Sequence, residues 1–400
     1  LHHHLLAVHR RLPLALLRRQ GRRPLPARGP IMTADAAGAA WTPRDYSLVG
    51  RDAALAVENG LATAEWYHTD IPRKRMKELM QRSDGPALRD TAIWLGLFVV
   101  FAAGAIYFWG SWWSVPFFIC YGVLYGSSTD SRWHECGHGT AFKTRWLNTV
   151  IYQMACFMIM REPTVWRWSH ARHHTDTIIV GRDPEIGFMR PPVLLRGLVN
   201  FFALANTPKT IMGILYHATG QLTPAEKTFI PEMEWHKVYS TARIWTVLHL
   251  IPIGLAIYFH SWLPVLLVGP LPTMYGAWLE VYFGITQHAG LAEDVLDHRL
   301  NSRTVYMNPL FRFIYWNMNY HVEHHMFPMV PYYRLAELHE IMKPDTPKPY
   351  ASTIEAYREI IPALLRQHRE PTWFVRRELP PTARPYRPDL HGQDVPSPAE

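Results

Sequence analysis

Three short stretches of this chain concentrate imidazoles in spacings that bind metals. Residues 130–142, DSRWHECGHGTAF, carry His134 and His138 as HExxH; residues 168–176, WSHARHHTD, carry His170, His173 and His174 as HxxHH; residues 319–328, NYHVEHHMFP, carry His321, His324 and His325 in that same HxxHH spacing. With 22 histidines in 400 residues, chance would produce HxxHH about 0.07 times, so two copies call for a cause. On a helix, side chains three or four positions apart leave one face about 5–6 Å apart at Cβ, close enough for two imidazoles to share a metal.

A single metal takes three or four protein ligands, so eight clustered imidazoles imply two metals. Imidazole suits iron, zinc, copper and nickel alike, and ligand type alone does not choose among them. HExxH is also the signature of zinc proteases, but a protease needs only one further ligand and would leave both HxxHH clusters idle. A histidine-rich metal carrier without catalysis is a third class that these spacings permit.

Composition narrows the setting. From Thr91 to Thr129 there is no Asp, Glu, Lys or Arg, and from Ile244 to Leu279 the only ionisable side chains among Asp, Glu, Lys, Arg and His are His249 and His260. A membrane-spanning helix needs roughly 20 apolar residues, so each stretch is long enough for a hairpin of two spans. The expected reversals are Gly110-Ser111, flanked by Trp109, Trp112 and Trp113, and Phe259-His260-Ser261, followed by Trp262; tryptophan suits the headgroup layer. Arg82, Arg89, Arg132, Lys143, Arg145, Arg243, Arg299 and Arg303 flank the opposite ends, which assigns that side to the cytoplasm. All three histidine clusters then converge on one membrane face.

The expected fold class is therefore all-α and integral to the membrane: four transmembrane helices as two hairpins (91–129 and 244–279), with a cytoplasmic helical cap holding a two-metal site. Residues 32–90 read as a cytoplasmic or interfacial approach segment, with a helix around Ile71, Met76, Leu79 and Met80 that Pro72 starts. The membrane domain runs over 91–345. Residues 147–160 and 197–217 suit helices lying on the bilayer surface. Residues 346–400 form a C-terminal cytoplasmic segment whose part from Glu370, with seven prolines, reads as an extended or disordered tail.

Residues 1–31 are expected to be a leader outside the fold, with Met32 as the native start. Its seven arginines and no acid take the formal net charge from +8 for the whole chain to +1 for the remainder, which removes the electrostatic support for nucleic-acid binding. Cys120, Cys136 and Cys156 are the only cysteines; they have no framework spacing, and three thiols cannot hold a four-cysteine iron–sulfur cluster.

HxxxH, HxxHH and a distal HxxHH around two membrane hairpins resemble the integral-membrane fatty acid desaturase and hydroxylase superfamily, over roughly residues 90–345. The resemblance implies two non-heme irons, O2 as co-substrate, and desaturation or hydroxylation of an unactivated C–H bond in a fatty acyl or other lipid substrate. It also implies a ninth ligand, for which His288 in FGITQHAGLAED stands in the right place. GRDPEI and EDVLDHRLNSRTV are similar to a bacterial branch that contains the rhizopine-catabolism oxygenase, so the same chemistry on a small metabolite stays open. Electrons must come from an external ferredoxin, Rieske-type in that branch, with its reductase, and the expected location is a bacterial inner membrane with the site on the cytoplasmic side. Loss of a second hydrogen gives an alkene and oxygen transfer an alcohol; both remain open.

Asp183, Glu185 and Glu323 are candidates to accept N–H bonds from ligand imidazoles, with Glu135 and Asp176 beside them as ordinary acids or partners of that kind. His249 reads as packing in a membrane helix, and His298 and His339 read as surface residues.

Overall fold

A computed structural model describes residues 44–62 and 65–387. The expected leader 1–31 and the last part of the tail lie outside these residues. Among the described residues the chain is helical with no strand; two isolated bridges, Thr304 to Tyr320 and Val305 to Tyr350, are the only β pairing.

Helix α1 (Asp84–Tyr107) forms the first arm of the first hairpin. A short helix, Arg73–Leu79, precedes it, with Pro72 at its N-cap. The chain reverses between Phe108 and Trp113 and returns as α2 (Ser114–Gly122), a π-helical stretch (Val123–Ser128) and α3 (Thr129–His138), which carries the first histidine cluster. α3 stops at Gly139, whose φ of +68° lies in the left-handed region that glycine enters without a Cβ clash.

Two helices follow. α4 (Arg145–Met158) turns Ile151, Tyr152, Ala155 and Cys156 into the core, so it is less a surface helix than its apolar run implies. α5 (Pro163–Thr175) carries the second cluster; Glu162 caps it by accepting from the Val165 N–H at 2.7 Å, with proline at the first helical position. α6 (Asn206–Ala218) leaves Met212, Leu215 and Tyr216 exposed.

The second hairpin begins with α7 (Trp235–Tyr258). Its reversal places His260 at φ +50°, and the return arm is broken into Leu263–Leu267, α8 (Pro270–Gly276) and α9 (Trp278–His288). The third cluster lies on α10 (His321–Met326), followed by α11 (Leu335–Met342) and α12 (Thr353–Arg369).

Two stretches, Arg73–Tyr107 (35 residues) and Glu232–Tyr258 (27 residues), are long and apolar enough to cross a membrane, and only 17% of each apolar window is buried. Val99, Tyr107, Trp112, Trp113, Val247, Ile257, Tyr258 and Trp262 stand largely exposed along them and at their tips. Such a continuous apolar surface belongs against lipid rather than water.

The two return arms meet through backbone contact. A Cβ on Gly276 would lie 1.9 Å from the Gly122 carbonyl oxygen, and one on Gly126 would lie 2.6 Å from the Ala277 nitrogen. Ser127 reinforces the seam, donating from Oγ to the Gly276 carbonyl at 2.6 Å and accepting from the Glu280 N–H at 2.9 Å. Because α3 and α9 continue from these arms, the seam fixes the first cluster relative to His288.

Three of the flanking cations are not at a headgroup surface. Arg132, Arg299 and Arg303 are all but fully buried. Arg132 lies over the rings of Trp316, Phe313 and Trp94 at 4.7, 5.1 and 5.3 Å and donates to the Ile314 carbonyl at 2.9 Å, tying α3 to the segment before the third cluster. Arg299 pairs with Asp297 and Asp345, and Arg303 with Glu359. Arg89, Lys143, Arg145 and Arg243 remain exposed.

The described part of the proline-rich tail is extended, one of the two forms expected from its composition, and it packs against the helical domain. Phe374 and Val375 are buried, the Val375 N–H donates to the Gly290 carbonyl at 2.9 Å, and Arg384 pairs with Asp70. Prolines 371, 380 and 381 interrupt helix without preventing an extended strap from burying the consecutive side chains of Phe374 and Val375.

Candidate metal centre

The three clusters and His288, spread over nearly two hundred residues, meet in one region of the fold. Their ligand atoms form two groups: His134, His138, His170, His174 and His324 in one, and His173, His288, His321 and His325 in the other, with the atoms of each group all within 4.8 Å of one another. The HxxHH motif is divided between the groups. On α5, His170 and His174 face the first while His173 faces the second; on α10, His324 faces the first while His321 and His325 face the second.

Whether metals fit can be read from the nitrogen spacings. In the first group Nε2 atoms approach at 3.1 Å (His138 to His170), 3.2 Å (His170 to His174) and 3.2 Å (His174 to His324). In the second they approach at 2.9 Å (His288 to His321) and 3.0 Å (His321 to His325). Metal–nitrogen bonds of about 2.0–2.1 Å at right angles hold neighbouring donor atoms about 3 Å apart, so both groups fit a cation at their centre. His134 Nε2 is buried with no hydrogen-bond partner, as the donor nitrogen of an imidazole reserved for a metal would be, while its Nδ1 lies 3.5 Å from Glu135 Oε1.

The outward nitrogens of several rings are held. With Nε2 turned inward, the Nδ1–H of His170 donates to Glu185 Oε2 at 2.9 Å, that of His173 to Asp183 Oδ2 at 2.8 Å, and that of His288 to the Asn301 carbonyl at 2.7 Å. Thr177 Oγ1 lies 3.2 Å from His325 Nδ1. Such bonds select the tautomer and orientation that a metal needs. Asp183 is itself braced by the Ile178 and Glu185 N–H groups, both at 2.8 Å.

Electrostatics keep most of these rings neutral. Burial, then repulsion by neighbouring imidazoles, pulls His134, His138, His174, His321, His324 and His325 well below the usual histidine value. His288 is brought down to about 3, by burial and then His173. His173 is the exception: burial lowers it, but the Asp183 carboxylate more than compensates and lifts it to about 8.

Glu323 does not reach a clustered histidine. Its Oε2 accepts from Thr304 Oγ1 at 2.6 Å and its Oε1 from His339 Nδ1 at 2.5 Å. Asp176 pairs with Arg172 at 2.6 Å. Glu135 is fully buried, pushed up to about 8 by that burial, and its Oε2 accepts from Thr140 Oγ1 and the Tyr332 N–H. His134 and His138 share their group with three further histidines, which is not the three-ligand site of a zinc protease.

His298 and His339 are buried, at 2% and 1% exposure, not surface residues. His339 bridges Glu323 and the Tyr306 hydroxyl, the latter at 2.9 Å. His298 stacks on Trp66 with ring centroids 4.3 Å apart and 5° between planes, and lies 5.0 Å from the His325 ring. Neither has a spacing that would reveal this; their neighbours come from remote parts of the chain. His249 packs as expected, with Nδ1 2.8 Å from the Trp245 carbonyl and its ring against Phe157.

The sequence profile of the family described as fatty acid desaturase matches residues 110–357, which takes in all nine histidines. The chain belongs to the fatty acid desaturase family. Among curated desaturases, it is similar to an endoplasmic-reticulum omega-3 fatty acid desaturase of Nicotiana tabacum, with 26% identity over 238 residues, 54% of this chain and 62% of the relative. A chloroplastic omega-3 desaturase of Ricinus communis is 26% identical over 307 residues, 70% of this chain and 63% of the relative. An sn-1 acyl-lipid omega-3 desaturase (ferredoxin) of Nostoc sp. is 24% identical over 226 residues, 53% of this chain and 62% of the relative. The chain thus spans less than two thirds of the length of these desaturases.

Proposed function

We propose that this chain is a membrane-bound di-iron enzyme that desaturates or hydroxylates a fatty acyl chain with O2, drawing electrons from a ferredoxin. The observation that carries this reading is the sorting of nine imidazoles, six buried and three half-buried, into groups of five and four with metal-compatible spacing. The family supplies the choice of iron, and the ferredoxin named for the Nostoc relative supplies the donor class.

His134, His138, His170, His174 and His324 would hold one iron and His173, His288, His321 and His325 the other. When bound, such a pair supplies O2-dependent removal of hydrogen from an unactivated C–H bond. The chain's own part is positional. Asp183 and Glu185 keep His173 and His170 of α5 in the metal-binding tautomer, and the Asn301 carbonyl does the same for His288. The Trp133 and His170 ring centroids lie 5.3 Å apart, and this packing would exclude water beside the first group. Burial of the remaining rings keeps them neutral and able to donate a lone pair.

Both hairpins are proposed to embed as four arms, with the exposed apolar faces of α1 and α7 in lipid and the metal groups on the cytoplasmic side, next to Arg89, Lys143, Arg145 and Arg243. An acyl chain would then enter from the bilayer.

Purified protein in lipid nanodiscs, supplied with reduced ferredoxin and acyl-lipid, tests the proposal through metal content, O2 uptake and product mass. About two irons per chain and coupled O2 uptake support it; a product two hydrogens lighter indicates desaturation and one oxygen heavier indicates hydroxylation. Zinc without O2 uptake refutes it, and coupled O2 uptake only with a small polar metabolite refutes the lipid assignment.

A further inference from the structure

The proposed chemistry consumes electrons that this chain has no cluster to store, so they must cross from the aqueous surface to the metal groups. One aromatic path does this. Trp66 lines a surface cavity of about 360 Å³ with Tyr67, His68, Arg384, Pro385 and Arg387. Behind it, His298 lies parallel to the indole at 4.3 Å, and the His325 ring follows at 5.0 Å.

The path reaches both metal groups. The Trp66 Nε1–H donates to the Thr175 carbonyl at 3.0 Å, and Thr175 follows His174, a member of the first group. His325 belongs to the second group, and its ring stacks on His174 at 4.5 Å. Trp66 is therefore fixed where the two groups meet.

The stack is also rigid. The Tyr67 N–H donates to the Leu296 carbonyl at 2.8 Å, and the Arg299 guanidinium covers the Tyr67 ring at 3.5 Å, which clamps the residues next to Trp66 and to His298. Electron tunnelling decays steeply with distance and faster across voids than through packed matter. Two rings in contact therefore favour this route.

We propose that the Trp66–His298 stack is the electron-entry relay between a one-electron protein carrier at the Trp66 cavity and the metal pair. The inference rests on the di-iron reading above. Each electron leaves the reduced carrier, which is oxidised, and reduces the metal pair; the two rings transmit it by tunnelling and end unchanged.

The test uses full-length, iron-loaded protein in nanodiscs without substrate or O2, following reduction of the metal centre by stopped flow. The reductants are a reduced [2Fe–2S] ferredoxin and, separately, dithionite, which is small enough to approach by other routes. Trp66→Leu and His298→Leu are expected to keep full iron content and the dithionite rate while slowing reduction by ferredoxin about tenfold. Trp66→Phe, which retains a stacking ring, is expected to stay near the native rate.

Native ferredoxin rates in both leucine variants would overturn the relay, as would equal slowing with dithionite or loss of iron, since these would make the stack a packing element. Wild-type protein that binds iron but is not reduced by ferredoxin would overturn the donor assignment and the relay together, whereas failure of the leucine variants alone leaves the functional reading standing.

Discussion

His174 and His325 lie nearly parallel, ring centroids 4.5 Å apart and 29° between planes, yet they belong to different metal groups. This contact joins α5 to α10 and is the seam along which the two halves of the centre touch. Damage to one half should therefore be measurable separately from damage to the other.

His324→Ala removes one ligand of the first group and His173→Ala one of the second. Each variant is expected to fall from about two bound irons per chain to about one or fewer, with loss of O2 uptake. Membrane insertion should persist, because α1 and α7 carry no ligand. Elemental analysis of the purified membrane fraction reads both.

Asp183 and Glu185 touch only the outer nitrogens of His173 and His170. Asp183→Asn and Glu185→Gln are expected to weaken metal binding about 10–100-fold without abolishing it. Chelator competition at equilibrium measures this. Unchanged affinity in both variants would remove these carboxylates from the site.

The metal-free protein should be acid-labile. The folded values of His134, His138, His174, His321, His324 and His325 lie below the unfolded value of about 6.5. Below that pH the unfolded chain takes up protons that the folded chain does not, so their contribution is present above pH about 6.5 and is lost as pH falls. His173, raised to about 8, works in the opposite direction: its contribution is full below pH about 6.5 and disappears as pH rises through about 8. With His288, also lowered, seven rings against one make acid instability the net expectation, read as a falling melting temperature of chelator-treated protein between pH about 7 and about 5.

Gly276→Ala places a methyl group 1.9 Å from the Gly122 carbonyl oxygen. Backbone cannot withdraw as a flexible side chain can, so the return arms must separate, at a cost of about 1–3 kcal/mol or more. Thermal unfolding in detergent is expected to show a lower midpoint. Gly213→Ala, where a Cβ meets nothing within 4 Å, is the control and should not.

What the sequence made legible was local. Charge-free length and tryptophan-flanked reversals marked two apolar stretches whose first arms are the two helices fit to cross a membrane. Three- and four-residue spacing put clustered histidines on common helix faces. What it concealed was tertiary. Arg132, Arg299 and Arg303 look like surface cations until Trp316, Asp345 and Glu359 are brought to them from other elements. His298 carries no spacing signal because Trp66, more than two hundred positions earlier, provides its environment. Phe374 and Val375 sit in a proline-rich stretch whose composition resembles a loose tail, and only a groove supplied by the cap gives them somewhere to bury.

Because the rings gathered here are contributed by segments from His134 to His325, the ribosome must synthesise most of the polypeptide before either group can be completed. Until α10 emerges, the nascent protein presents His134, His138, His170, His173, His174 and His288 with coordination shells unfinished, a state suited to capturing the wrong cation. Both groups are closed together, when the third cluster on α10 joins them.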